Sequence, residues 1–137
     1  MKFLREPASA LTHLVGAILS AGGLAALIYK GAVYGTAWHV VSFTIFGVSL
    51  VLLYTASTLY HGLALSSRVT LVLRKVDHMM IYLLIAGSYT PFCLVPLRGV
   101  WGWSLFGAAW GFAAVGIVMK LFWMNAPRWL STGFYLL

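Results

Sequence analysis

Acidic side chains are almost absent from this chain. Of its 137 residues only Glu6 and Asp77 are acidic, against nine Lys or Arg, and charged residues make up 8% of the sequence. A water-soluble domain carries about 25%. So few charges cannot cover a soluble surface, and with 62% hydrophobic residues the bilayer is the solvent that fits. A net charge of +7 would suit nucleic acid if it were clustered. Here the cations are scattered between apolar runs, the pattern of membrane topology, so membrane lipids rather than nucleic acid are the expected surroundings. The single cysteine, Cys93, has no intrachain partner, and disulfides play no part. No Walker-type GKS/T, HExxH or GxSxG is present, nor any internal repeat or low-complexity tract.

What is present is a series of apolar runs of spanning length. A transmembrane helix needs about 20 mainly apolar residues. The charges delimit four such helices, near Ala8–Tyr29, Ala37–Tyr60, Val76–Val95 and Trp101–Leu121, for an all-α integral membrane fold. A fifth apolar stretch opens at Trp129 and stops nine residues in, at Leu137. It either lies at the surface or marks a chain cut inside a fifth helix. Lys2 and Arg5 resemble the start of a signal peptide, but Glu6 and the length of the uncharged run after it favour a retained helix. With the N-terminus in the cytoplasm, the inner segments hold Lys2, Arg5, Arg68, Arg74, Lys75, Lys120 and Arg128, and the outer ones only Lys30 and Arg98. That bias sets the N-terminus inside. The link Gly62–Leu73 carries Leu65, Val69 and Val72 at helical spacing, as a short surface helix or an ordinary link would. Gly107 with Gly111, and Gly16, Ser20 and Gly23, offer small faces for helix packing. Pro91 should kink the third helix, and Trp101, Trp103, Trp123 and Trp129 fall near predicted interfaces.

This topology brings polar groups to one depth. His13 lies about 7 Å from the inner end of the first helix, and His61 ends the second with Ser57 about 6 Å deeper. Asp77 and His78 open the third helix at the same level, pointing about 100° apart. His39 starts the second helix on the opposite side, roughly 30 Å away. Each residue has a plain structural alternative. His61 could bond a headgroup or carbonyl, Asp77 could pair with Arg74 or Lys75, and Ser57 could bond the Leu53 carbonyl. Glu6 could serve only the helix dipole, and His13 could be a satisfied core histidine. Together His61, Asp77 and Ser57 have the chemistry of a zinc site: a ligand nitrogen, a carboxylate to orient water or take its proton, and a hydroxyl to steady an oxyanion. One histidine is an incomplete shell, since a catalytic zinc takes about three protein ligands.

The stretches EPASALTHLVGA, ASTLYHG, LRKVDHMMIYLLIAGSYTP and RWLSTGFYLL resemble the hemolysin III family over essentially the whole chain. That family groups with the progestin and adipoQ receptors and, more widely, the alkaline ceramidases. The resemblance implies a seven-helix bundle, of which residues 1–137 would be the N-terminal part, in a bacterial inner membrane with a cytoplasmic N-terminus. It also implies zinc near the inner leaflet, with His61 similar to the metal ligand, Asp77 to the acid that holds the water, and Ser57 to the motif serine. Glu6 and His13 fall on its N-terminal motif. The family's H-x-x-x-H ligand pair is not in this sequence, so the chain reads as a fragment, inactive as it stands. The implied functions are a role in membrane lipid homeostasis, zinc-dependent hydrolysis of a lipid amide, or a pore-forming cytolysin.

Overall fold

The computed structural model describes residues 5–125, 127 and 132–133. Within them the chain forms four helices: α1 (Pro7–Tyr34), α2 (Ala37–Gly62), α3 (Ser67–Leu94) and α4 (Val100–Phe122). The expected second and fourth helices agree with these to within two residues, while α1 runs five residues further, to Tyr34. The third does not agree, because α3 begins at Ser67 rather than Val76 and runs unbroken for 28 residues. Most of the expected link is therefore helical. It is neither a separate surface helix nor a loop, but the opening turns of α3, with only Leu63–Ser66 left to connect the helices. Pro91 lies inside α3, which continues one more turn to Leu94.

Three helices, α1, α2 and α4, are long and apolar enough to cross a membrane. The third is the least apolar, because Arg68, Arg74, Lys75, Asp77 and His78 occupy its first half. The expected stretch Trp129–Leu137 lies outside the described residues except for 132–133.

The helices form an open row rather than a closed bundle. Each packs against its successor, and no other pair of the four comes into close backbone contact among the described residues. Short connections make neighbours antiparallel. At one end Trp38 of α2 meets Trp103 of α4 edge-on at 6.0 Å, and Arg98 lies over Trp38 at 5.1 Å. At the other end Lys75 donates to the Leu121 carbonyl at 2.8 Å. Arg5, Arg68, Arg74, Lys75 and Lys120 thus share the end that carries the N-terminus, with Lys30 and Arg98 opposite.

Small residues set the close approaches. A side chain at Gly16 would meet the Tyr54 ring, one at Gly47 would meet Leu24, one at Gly87 Ser49, and one at Gly116 the Tyr82 ring. Each helix seam therefore has a glycine seat. Gly107, Gly111 and Gly23 have nothing within 4 Å, so the GxxxG pair of α4 is not at a seam between described residues. A small core of Tyr82, Ala86 and Ala113 joins α3 to α4, flanked by Trp110, Ile117 and Met119. Trp110 Nε1 donates to Thr90 Oγ1 at 3.2 Å across the same seam. Leu11, Leu14, Val15, Ile18 and Leu19 of α1 are exposed, as are Val115, Val118 and Leu121 of α4. An apolar surface of this extent suits lipid or further helices, not water.

The glycine seats are testable. Gly116→Leu is expected to destabilise the α3–α4 seam by about 1–3 kcal/mol through overpacking against Tyr82. Gly111→Ala, in open space, is expected to be neutral or slightly stabilising. Thermal unfolding in detergent compares the two directly.

Candidate functional site

The last four carbonyls of a helix have no partner within it. In α2 these include the carbonyls of His61 and Gly62, and the segment ahead of α1 reaches both. Glu6 N–H donates to the His61 carbonyl at 2.9 Å, and Arg5 N–H to the Gly62 carbonyl at 3.4 Å. The Glu6 carbonyl then accepts from Ala10 N–H at 3.0 Å and so starts α1. Pro7 at the first helical position needs no partner for an N–H it lacks. The N-terminal segment is thereby strapped across the end of α2.

The side chains follow the strap. Glu6 Oε2 lies 2.7 Å from His61 Nδ1, and Glu6 Oε1 accepts from the Arg5 guanidinium at 3.0 Å. These bonds, His61 first and Arg5 second, hold the Glu6 carboxyl below the usual carboxylate range. Glu6 is then an acceptor only, and Nδ1 of a neutral His61 must carry the ring proton. In that neutral form Nε2 keeps a bare lone pair. Arg5 lies over the Tyr60 ring at 4.3 Å, and Tyr60 with Glu6 pushes the guanidinium pKa up. The His13 ring stacks on His61 with centroids 5.5 Å apart and planes at 12°, and Tyr54 lies 5.9 Å beyond it. His13 and His61 are therefore at one depth on adjacent helices.

Ser57, one turn before His61 on the same face of α2, is 5% exposed. Its neighbour Thr58 bonds back to the Tyr54 carbonyl at 2.7 Å, as Ser20, Ser42, Ser49 and Ser88 bond within their own helices. Ser57 makes no such bond to Leu53, and its hydroxyl has no hydrogen bond among the described residues.

Asp77 is 8% exposed and, because α3 starts at Ser67, lies about three turns into the helix rather than opening it as expected. Its ion-pair partner is His78, whose Nδ1 lies 3.5 Å away. That same nitrogen donates to the Arg74 carbonyl at 2.8 Å, so it holds Asp77 only weakly. Neither Arg74 nor Lys75 pairs with Asp77. Lys75 bonds the Leu121 carbonyl, and the Arg74 side chain lines a separate cavity. The alternative in which Asp77 forms an ordinary surface pair does not hold. His39, at the far end, accepts the Thr36 backbone N–H at 3.1 Å and caps α2.

The structure thus joins His61 to Glu6 and His13 rather than directly to Asp77. Among the described residues no group of three or more His, Cys, Asp or Glu is placed to hold a metal ion. The partner that reasoning from sequence left without a role is Glu6. Its signal was available, since it is one of only two acids and stands directly before a proline that opens a helix.

Comparison with known proteins assigns the family. The sequence model described as Haemolysin-III related matches residues 1–137. The chain is 48% identical over 131 residues to the hemolysin-3 homolog of Bacillus subtilis (strain 168), covering 96% of this chain and 61% of that protein. It is 44% identical over 137 residues to hemolysin-3 of Bacillus cereus, covering 99% of this chain and 62% of that one. The chain therefore spans about three fifths of the length of these relatives. No solved structure matches it. A match along the whole chain, on helices apolar enough to cross a membrane, places this protein in the haemolysin-III-related family of membrane proteins.

Proposed function

We propose that this chain contributes to a zinc-dependent membrane protein acting in membrane lipid homeostasis. The metal would sit at the end of the helix row that carries the N-terminus, on the cytoplasmic side. The observation that carries this reading is the 2.7 Å hydrogen bond between Glu6 and His61. Zinc-bound histidines characteristically give their other ring N–H to a carboxylate, which fixes the tautomer and raises the basicity of the ligating nitrogen. His61 would hold zinc through Nε2. Ser57, a buried residue, presents a hydroxyl without a hydrogen-bond partner among the described residues one turn away, and Asp77 a carboxylate without a short hydrogen bond. These residues fit part of a zinc site. The further ligands, of which the H-x-x-x-H pair implied by the family resemblance is the natural source, would come from sequence that the relatives have and these residues do not include. Zinc held there would supply Lewis acidity toward water or a carbonyl oxygen.

A second reading, hydrolysis of a lipid amide, draws on Asp77 and Ser57. A weakly held carboxylate can take a proton, and a free hydroxyl can steady a developing oxyanion. The word hemolysin in the relatives' names suggests a pore. The described helices carry isolated charges rather than the rows that line a water channel, so this reading has the least support.

Metal analysis of the protein purified from its native membrane tests the first reading. Wild type is expected to carry zinc and His61→Ala to carry none, while unchanged zinc in His61→Ala removes the site. Glu6→Gln, which keeps the shape but loses the charge, is expected to bind zinc on the order of tenfold more weakly. Fatty acid release from a ceramide-like lipid that disappears in Asp77→Ala would select the hydrolase. Liposome leakage indifferent to both His61→Ala and Asp77→Ala would select the pore.

A further inference from the structure

A separate cavity opens beside this pair at the same end of the row. It has a volume of about 350 Å³ and is lined by Arg5, Tyr60, Ser67, Thr70, Leu71 and Arg74. Ser67, Thr70, Leu71 and Arg74 recur at helical spacing, so α3 presents them as one stripe. Arg5 faces them from the N-terminal strap, its guanidinium held over Tyr60. The cavity thus has two arginines on separate elements with Ser67 and Thr70 in the same lining, the Thr70 hydroxyl donating to the Leu65 carbonyl at 3.4 Å and keeping its lone pairs.

Its charge is poorly compensated. Glu6 accepts from Arg5 but also holds His61. Arg74 has no carboxylate within ion-pair distance among the described residues, and Asp77 pairs with His78 instead. No side-chain cap covers the first turn of α3, beside Ser67, so the positive end of that helix adds to the same field. Two guanidinium groups and hydroxyl residues that converge beside one carboxylate, itself shared with His61, are the complement of a phosphate. Val69, Leu71 and Val72 are exposed on the same turns of α3, as an acyl chain at the mouth would require.

We propose that this cavity binds a phosphate group, carried by a phospholipid headgroup or free in solution, through Arg5, Arg74 and Thr70. The site meets the Glu6–His61 pair only through the Arg5–Glu6 ion pair and does not depend on zinc.

Native mass spectrometry of the full chain in detergent tests it, with phosphatidylglycerol, diacylglycerol and inorganic phosphate as probes. Phosphatidylglycerol is expected to stay bound and diacylglycerol, which has the same tails without phosphate, to be lost. Arg74→Gln should weaken binding about tenfold, the loss of a charge-assisted hydrogen bond. Arg74→Lys should recover part of it. Arg68→Gln, on the same helix but outside the cavity, should leave it unchanged. Inorganic phosphate held with the same dependence on Arg74, where phosphatidylglycerol is not, would confirm the site and assign it to a soluble ligand. Equal retention of diacylglycerol overturns the proposal, as does wild-type binding in Arg74→Gln or an equal loss in Arg68→Gln. Should Arg74→Gln lose helical content by circular dichroism, Thr70→Ala decides: weaker binding supports the site and unchanged binding overturns it.

Discussion

The hydrogen bond between Glu6 and His61 is the constraint on which the arrangement at this end of the helix row depends. Two backbone bonds bring it about, since Arg5 and Glu6 donate to the open carbonyls that end α2. The last carbonyls of a helix have no partner within it, and these two find theirs in the backbone of the preceding segment. The strap answers that need. In doing so it aims a carboxylate at a histidine that follows it by 55 residues. Helix termination and the setting of the His61 tautomer are one structural event.

The rest of the fold serves this end by holding four helices in register. Glycine seats let Tyr54, Leu24, Ser49 and Tyr82 press close to the neighbouring backbones, giving each seam a fixed contact where apolar burial alone gives little drive. Because, among the described residues, only consecutive helices come into close backbone contact, the row stays open and broad apolar faces remain. Asp77 and Ser57 are nonetheless buried within it. Burying an acidic residue without a short hydrogen bond is costly.

Charge spacing and apolar length made most of the fold legible in the sequence. Helices α2 and α4 could be bounded from charges and run lengths alone. The start of α3 could not, because Ser67–Leu73 mixes hydroxyls and an arginine with its apolar residues. A helix that is polar before it becomes apolar looks like a linker followed by a helix. Small residues misled in another way, since Gly107 and Gly111 have the pattern of a seam but meet no described neighbour. At the site, His61, Ser57 and Asp77 stood out as candidates by their rarity in apolar surroundings. The partnership with Glu6 did not, because it depends on how an irregular segment crosses the end of another helix. Spacing along one helix carries no information about that crossing.

The tautomer of His61 tests the central claim most directly. Nitrogen-15 NMR of the labelled imidazole at neutral pH, without added metal, distinguishes the two ring nitrogens. A proton on Nδ1 with Nε2 bare, shifting toward the other tautomer in Glu6→Ala, is the predicted result. A proton on Nε2 in the wild-type chain, or a spectrum indifferent to Glu6→Ala, would contradict the account.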